Sequence, residues 1–581
     1  PHPLSSANGS VTCSFCKTEF YLQDPPSGDI LTSPTEFCKP CPPNAACPDN
    51  TTLSSLVLPP GFWRASPSSA VLTECRLFGG DAEAGETRCA GSEQTGASRN
   101  RRMAAAGAEY CALGFKGPEC QLCDAQNHYL VDGDTCEKCA PRGAAAGRIV
   151  GLVLGLCVAC GLVAWAYSMP WREKRIIGPI LRFADRSVKY YVGVGMTAKV
   201  KILFGFYQIC TVLSSTYSAR LPKDYTGWTD TLANAISIDW SGLFLPKQCL
   251  GYDLRLLAIA LSPVALIALL MVAGISLRLH RWRAAPVPRE RSWYAEAALG
   301  LLDLTPAGLV LVFCFVPSIS ASIFRAWSCQ AYTVSPPDEP LRQVFYMRQD
   351  ASVECRTEDH ESITDIAVGF IVLWPAGSLV LFTSLLAACY KPLQAKTPTA
   401  LTRATAFLHR EYKTTWYWWE AVELARKLVL TGAVLLIPEE RAFVRLVVAT
   451  LICSCYVALV GATQPFKRVE DDALAVASSL VLLLFFLGAN WTTIYLGIEE
   501  RYPNAEAAAA LFGFNNLNAV VDSMIVLVAI VFPIAIAGGI FAVRNVAKVP
   551  TIRLVSSKQE PELTLALGLT WHLFNSHIWS T

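Results

Sequence analysis

The chain has 581 residues, of which 52% are hydrophobic and only 17% are charged, and its mean hydropathy is positive. This composition excludes an ordinary soluble globular protein of the same length and predicts long apolar segments. The formal net charge is +2, so no strong overall charge dominates the chain.

The first 146 residues contain twelve cysteines, and four of them form two Cys-x-x-Cys pairs in GFKGPECQLCDAQNHYLVDGDTCEKC, residues 114–139. An even and dense set in an exported segment indicates disulfides, because so small a module has too little apolar core to fold without them. A zinc site is disfavoured because no histidine lies at ligand spacing near these cysteines. A redox-active Cys-x-x-Cys pair is disfavoured because no βαβ pattern surrounds either pair. The predicted disulfide framework comprises Cys13, Cys16, Cys38, Cys41, Cys47, Cys75, Cys89, Cys111, Cys120, Cys123, Cys136 and Cys139.

We predict two cysteine-rich modules, at 1–78 and 111–146, separated by an insertion at 79–110. The insertion is rich in Gly, Ala, Ser and charge, which predicts a flexible exposed loop, and its RNRR run leaves a basic processing site as the alternative. Two sequons, at Asn8 and Asn50, predict N-glycosylation, which fits an exported cysteine-rich region.

Both modules carry a family resemblance. The segments CSFCKTEFYL, CKPCPPNAACPDN and PPGFWR resemble the cysteine-rich repeats of ephrin-type and TNF-type receptors. The segment 111–139, with GFKGPEC as its turn, resembles a laminin or EGF-like module. These resemblances imply an extracellular location and identify no ligand.

After residue 146 we find nine apolar stretches long enough to cross a hydrocarbon core of about 30 Å as helices. The sequence therefore predicts an all-α polytopic membrane bundle over 147–545, preceded by the disulfide-rich loop/β region and followed by a cytoplasmic tail over 546–581. The predicted spans are 147–169, 198–218, 254–277, 298–324, 366–389, 421–437, 442–463, 473–497 and 519–543.

Orientation follows from the distribution of Lys and Arg, which are enriched in short cytoplasmic loops. They are concentrated after the first, third and fifth predicted spans and in the tail, whereas the loop 327–365 is acidic. Nine spans with this alternation place the N-terminus outside and the C-terminus inside.

Three further cysteines lie in the predicted extracellular loops. Cys329 and Cys355 flank one loop and are predicted to close it as a disulfide. Because twelve and three make an odd number, Cys249 lacks an obvious partner, and we expect it to bond to something outside this chain. The first residue is Pro, and no signal peptide precedes the first module, which predicts a longer or processed precursor.

The membrane region also carries a resemblance. The segments KILFGFYQI (201–209), FVPSISASIFRAWSCQAY (315–332) and WYWWEAVELARKLVLTG (416–432) look like segments of large surface proteins of algae, oomycetes and related protists. In that group, cysteine-rich modules precede a bundle that is described as similar to TRP or polycystin-type channels. The resemblance implies a channel or channel-like sensor but supplies no defined active residues.

Ionisable residues inside predicted spans are candidates for a pore or gate, because burying each one in a membrane is costly. Most lie near a predicted end, where a long side chain can reach the headgroups. In the sixth span, the charges fit either a gate or an interfacial helix whose opposite charges pair below an aromatic belt. The candidates are Asp303, Glu423, Arg426, Asn490 and Asp522.

Two functional hypotheses remain: a channel or sensor gated through the ectodomain, or a non-conducting anchor of an extracellular or ciliary-surface assembly. A polar track joining Asp303, Glu423, Asn490 and Asp522 would favour the channel. A bundle centre filled with apolar side chains would favour the anchor.

The chain has no Walker A loop, G-x-S-x-G, HExxH or Rossmann motif, so we expect no enzymatic activity, cofactor or metal. Expected partners are membrane lipids, an extracellular protein or missing N-terminal region, a homo-oligomer or a channel, but no nucleic acid. The expected location is the plasma or ciliary membrane.

Overall fold

In a computed structural model, the described residues form an N-terminal region of short strands and a C-terminal helical region. Cys13, Asn8, the tail from 549 and all but two residues of the first predicted span lie outside the described residues. The described residues are 4–5, 15–23, 37–75, 88–92, 107–131, 135–139, 151, 155, 196–211, 216–217, 249–284, 292–337, 339–438, 441–501 and 518–548.

The described part of the N-terminal region contains five two-stranded antiparallel pairs, each formed by strands that are consecutive in the chain. The strands have two to four residues, too few to form a large sheet with a continuous core. They are β1 (Leu4–Ser5), β2 (Phe15–Cys16), β3 (Phe20–Leu22), β4 (Cys38–Pro40), β5 (Phe62–Trp63), β6 (Thr73–Glu74), β7 (Phe115–Lys116), β8 (Leu122–Cys123), β9 (His128–Val131) and β10 (Thr135–Lys138).

The PPGFWR segment supplies the centre of this N-terminal region. Trp63 and Arg64 are both 1% exposed. The Trp63 indole Nε1 donates to the Gly107 carbonyl at 2.8 Å, and Arg64 Nη1 donates to the Leu53 carbonyl at 2.8 Å. Gly107 has a φ of +73°, and a Cβ there would lie 2.4 Å from the Trp63 ring, so the chain requires glycine at this position. A buried arginine with several carbonyl acceptors orders the surrounding loops where strands are too short to do so.

The C-terminal region contains eleven α-helices within the described residues. They are α1 (Met196–Cys210), α2 (Tyr252–Ala284), α3 (Trp293–Phe324), α4 (Glu358–Ile371), α5 (Gly377–Gln394), α6 (Ala400–Ala404), α7 (Ala406–His409), α8 (Trp419–Thr431), α9 (Ala442–Thr463), α10 (Val469–Arg501) and α11 (Asn518–Lys548).

Within the described residues, five helical segments are long and apolar enough to cross a membrane, in place of the nine that the sequence predicts. The second and sixth predictions are not supported within the described residues, because the described part of α1 has 15 residues with two lysines, and α8 has 13 residues with four charges. In α11, the apolar segment is shorter, at Asp522–Gly538. The five candidate spans are Tyr252–Arg283, Trp293–Trp327, Glu358–Gln394, Ala442–Thr463 and Val469–Tyr495.

Helices α2 and α3 form a closely packed antiparallel pair. A Cβ at Gly300 would lie 2.7 Å from the Gly274 carbonyl oxygen, and a Cβ at Gly274 would lie 2.5 Å from the Gly300 carbonyl oxygen. The two glycines therefore let the backbones approach, as small residues do in membrane helix pairs. Helix α4 continues into α5 through a π-helical turn, Val372–Ala376, which contains Pro375.

Two apolar cores fill the helical region. The first lies where α1, α9, α10 and α11 meet, and the second joins α2, α3, α4, α5 and α8. The fully buried side chains of the first core include Ile209, Leu446, Phe485 and Phe486. The centre of the described bundle is therefore packed with aromatic and aliphatic side chains.

A three-stranded antiparallel sheet lies between α3 and α4. It consists of β11 (Cys329–Thr333), β12 (Gln343–Met347) and β13 (Asp350–Glu354), paired in chain order. Cys329 and Cys355 form a disulfide across its two ends. One face of the sheet packs on the N-terminal region, where Tyr332 meets Trp63 edge to face with ring centroids 5.2 Å apart.

Candidate functional site

Seven disulfides occur within the described residues, and six of them include cysteines of the predicted N-terminal framework. The expectation that Cys249 has no partner in this chain is wrong, because Cys249 is bonded to Cys139 across a separation of 110 residues. The odd number of cysteines did not indicate which cysteine lacks a partner, and Cys13 lies outside the described residues. The seven pairs are Cys16–Cys38, Cys41–Cys47, Cys75–Cys89, Cys111–Cys120, Cys123–Cys136, Cys139–Cys249 and Cys329–Cys355.

His360 lies beside the Cys329–Cys355 disulfide and forms with it a group of possible metal ligands. Both sulfurs are already committed to the disulfide, and a metal-binding cysteine must be a free thiolate. The ring has ordinary partners instead: Nε2 lies 3.0 Å from the Ala326 carbonyl oxygen, and Nδ1 accepts from the Arg356 amide at 3.4 Å. These contacts give His360 a structural role in joining α4 to the end of α3.

The first candidate site is the docking interface, defined here as the contact of Glu119 and Trp63 with Gln330, Tyr332 and Tyr346 of the β11–β13 sheet. Glu119 lies in a 3₁₀ turn, Pro118–Cys120, with a φ of +50°, and is 4% exposed. Its Oε1 accepts from the Tyr332 hydroxyl at 2.8 Å and from Gln330 Nε2 at 2.9 Å. A cysteine-rich turn therefore reaches across to the sheet with a buried carboxyl group.

Burial raises the pKa of the Glu119 carboxyl, and the hydrogen bonds from Tyr332 and Gln121 oppose that shift only in part. A raised pKa means that the docked state favours the protonated form. By linkage, the contribution of Glu119 to docking is fully present below its ordinary pKa of about 4.5 and declines as the pH rises through the raised value.

We expect the docking interface to be tighter at pH 4 than at pH 8, after correction for intrinsic exchange rates. Hydrogen exchange of the β11 and β12 amides measures this directly. Glu119→Gln removes the titrating group, so in this variant the protection of the β11 and β12 amides from exchange should become independent of pH over this range. Glu74, a partly exposed carboxylate on β6, provides the matched control as Glu74→Gln. A Glu119→Gln protein that keeps the wild-type pH dependence would contradict the assignment.

The second candidate site is the ionic cluster, defined here as Lys199, Lys201, Glu420, Glu423, Arg426, Lys427 and Asp471. Lys201 Nζ on α1 lies 2.5 Å from Glu420 Oε2 on α8, and the two side chains are 8% and 2% exposed. Lys201 also donates to the Phe407 carbonyl at 2.7 Å, and the Tyr412 hydroxyl donates to Glu420 at 3.0 Å. The pair is buried, and both of its charges have additional hydrogen-bond partners, as a buried ion pair requires.

Two more ion pairs complete the ionic cluster. Arg426 Nη2 donates to Glu423 Oε2 at 2.8 Å within α8, and the Tyr456 hydroxyl of α9 donates to the other oxygen of Glu423. Lys199 of α1 pairs with Asp471 of α10 at 2.5 Å. The charges of α8 are thus engaged both within α8, by the Glu423–Arg426 pair, and with α1 and α9, by Lys201 and Tyr456.

Lys427 differs from the other cations of the ionic cluster. It is 4% exposed, and its ammonium lies 4.1 Å from the centre of the Phe313 ring. Within the described residues, the ammonium forms no ion pair and donates no hydrogen bond. It extends over Gly205 of α1, where a Cβ would lie 2.5 Å from Nζ, so the glycine makes room for it.

The predicted pore residues do not form one track. Asp303 pairs with Arg278 at 3.2 Å and is 56% exposed, and Asp522 is exposed. Asn490 is buried, and its Nδ2 donates to Thr450 Oγ1 at 2.9 Å. Of the five candidates, only Glu423 and Arg426 belong to the ionic cluster. No contact within the described residues joins the other three to it.

Sequence reasoning missed Lys199, Lys201 and Asp471. The signal was available, since two lysines two residues apart lie inside a predicted span, where an ionisable residue requires a partner. Their partners are 219 and 272 residues away in the chain, so no local pattern indicates the pairing.

These features define a class of protein: a helical region with five apolar candidate spans, compatible with membrane insertion, that follows a disulfide-rich loop and strand region. No protein-family model and no solved structure matches the chain. A similar curated protein is the cysteine repeat modular protein A of Toxoplasma gondii, which is 23% identical over 231 residues. The match covers 36% of this chain, and it spans only 7% of the length of that protein.

Proposed function

We propose that this chain anchors a disulfide-rich surface region to a membrane and holds it in a fixed position on the helical bundle. The observation that carries the proposal is the double attachment of the N-terminal region. The Cys139–Cys249 disulfide connects it covalently to the start of α2, and the docking interface seats it on the β11–β13 sheet. The packed centre of the bundle fits a support better than a pore.

In this proposal the N-terminal region lies outside a plasma or ciliary membrane, and the C-terminal tail lies inside. The protein carries no catalytic activity and no cofactor, and it acts by presenting its exposed cysteine-rich surface to an extracellular protein partner. The basic loops after the predicted spans support this orientation.

A channel or channel-like sensor is the second candidate function, and the ionic cluster is the observation that favours it. Several charged groups inside a bundle are costly, and membrane proteins keep such groups where an ion pathway or a switching element uses them. The candidate conducting unit would be an oligomer or a complex with a channel subunit.

Ion flux through the full-length protein in liposomes separates the two functions. The anchor predicts no flux above protein-free liposomes, together with retention of the disulfide-rich region in the membrane fraction after carbonate extraction. Flux whose ion selectivity changes in Glu423→Gln, and not in the exposed-loop control Glu339→Gln, would overturn the anchor and establish the channel.

A further inference from the structure

A small cavity lies inside the ionic cluster, between α1, α3, α8 and α10. It leaves about 20 Å³ open to the centre of a water molecule, which is room for one water or one ion of similar size. The polar side chains that line it are Lys201, Tyr412, Glu420, Glu423, Arg426, Lys427, Ser478 and Ser479.

The charges around the cavity do not balance. Three cations, Lys201, Arg426 and Lys427, face two carboxylates, Glu420 and Glu423. Each carboxylate is already engaged by a closer cation and by a tyrosine hydroxyl. The Lys427 ammonium has no carboxylate at ion-pair distance and shares the charges of Glu423 and Glu420 with the closer cations, so the cavity wall carries one positive charge in excess.

Hydroxyl groups are also available in the cavity wall. Ser478 donates to the Ala475 carbonyl of its own helix at 3.1 Å. Ser479 is 7% exposed and lines the same cavity, and within the described residues its hydroxyl makes no hydrogen bond. Lys427 and Ser479 thus line one cavity, and an ammonium and a hydroxyl are both donors to an anion.

We propose that this cavity binds a halide ion, with chloride as the physiological occupant. Lys427 supplies the compensating charge and Ser479 a hydrogen bond. The space for about one water centre fits a monatomic anion better than phosphate, sulfate, carboxylate ligands or lipid headgroups, each of which needs more room. The site requires no conduction, so it stands whether the bundle anchors or conducts.

Binding of radioactive ³⁶Cl⁻ to the detergent-solubilised full-length protein tests the proposal on the wild type. We expect saturable binding that unlabelled bromide displaces and sulfate does not. Thermal unfolding in sodium chloride and in sodium gluconate of equal ionic strength supplies a second readout, with a higher midpoint in chloride because a bound ligand stabilises the folded state. Absence of saturable binding would mean that water occupies the cavity, and it would overturn the proposal.

Variants locate the site. Lys427→Met should abolish saturable chloride binding, and Ser479→Ala should weaken it by about tenfold or more, the usual effect of losing one hydrogen bond to a charge. Gly205→Ala tests the same site without removing a polar group, because its methyl group displaces the Lys427 ammonium. Lys391→Met, at an exposed lysine of α5, should bind chloride as the wild type does. Unchanged binding in folded Ser479→Ala and Gly205→Ala proteins would place any chloride elsewhere and overturn the proposal.

Discussion

Replacing Glu420 with glutamine is expected to destabilise the folded protein by about 3–5 kcal/mol, the usual cost of leaving one partner of a buried ion pair without its counter-charge. The Lys201 ammonium would stay buried without its counter-charge, with only neutral partners: the amide oxygen of the introduced glutamine, the Phe407 carbonyl and the Phe407 ring face. Unfolding of the purified protein by heat or SDS, followed by circular dichroism, measures the effect.

An exposed ion pair provides the control for this prediction. Arg342 and Glu339 lie 3.5 Å apart, with side chains 71% and 56% exposed, so Glu339→Gln should change stability by about 0–1 kcal/mol. The double variant Lys201→Met and Glu420→Leu removes both buried charges and should recover much of the loss. A Glu420→Gln protein that unfolds like Glu339→Gln would show that the Lys201–Glu420 pair is not buried as described.

Removing the Cys139–Cys249 disulfide, as Cys139→Ser with Cys249→Ser, is expected to loosen the N-terminal region from the helical region. In the chain-entropy model, closing a loop of 110 residues contributes up to about 5 kcal/mol, whereas the Cys41–Cys47 loop of 6 residues contributes about 2 kcal/mol. Trypsin resistance of the N-terminal region, measured against temperature, should therefore fall more in this variant than in Cys41→Ser with Cys47→Ser.

A direct chemical measurement supports this comparison. Mass spectrometry of a non-reduced digest should find one peptide pair joined through Cys139 and Cys249, and reduction should separate it. A Cys249 that carries free thiol label in the folded wild type would refute the assigned pairing.

Local pattern alone was enough to predict the five apolar candidate spans and the disulfide-rich character of the N-terminal region. A run of apolar residues is sufficient to locate a span, because length and hydropathy are properties of consecutive residues. Cysteine density works in the same way, since a small region with little apolar core needs cross-links wherever its cysteines pair.

Two of the nine predicted spans, the second and the sixth, are not supported within the described residues, and there is a physical reason. The hydropathy of 198–218 and 421–437 describes residues that pack inside a bundle as well as residues that face lipid. Helices α1 and α8 bury their apolar side chains against other helices, and they also bury the charges of Lys201 and Glu420. The hydropathy of a segment therefore does not distinguish a helix that packs inside the protein from a helix that faces lipid.

By itself, the sequence determined that this chain is apolar enough to form membrane-spanning helices. It also determined that the N-terminal region before these helices has enough cysteines to be cross-linked by disulfides. Only the tertiary structure decided which groups meet: Cys139 with Cys249, Lys201 with Glu420, and Glu119 with Tyr332. These partners are separated by 110, 219 and 213 residues. The charge and cysteine content of a segment follow directly from its residues. Which cysteines, ions and hydrogen-bonding groups meet depends instead on distances in space, and the packing of the chain sets those distances.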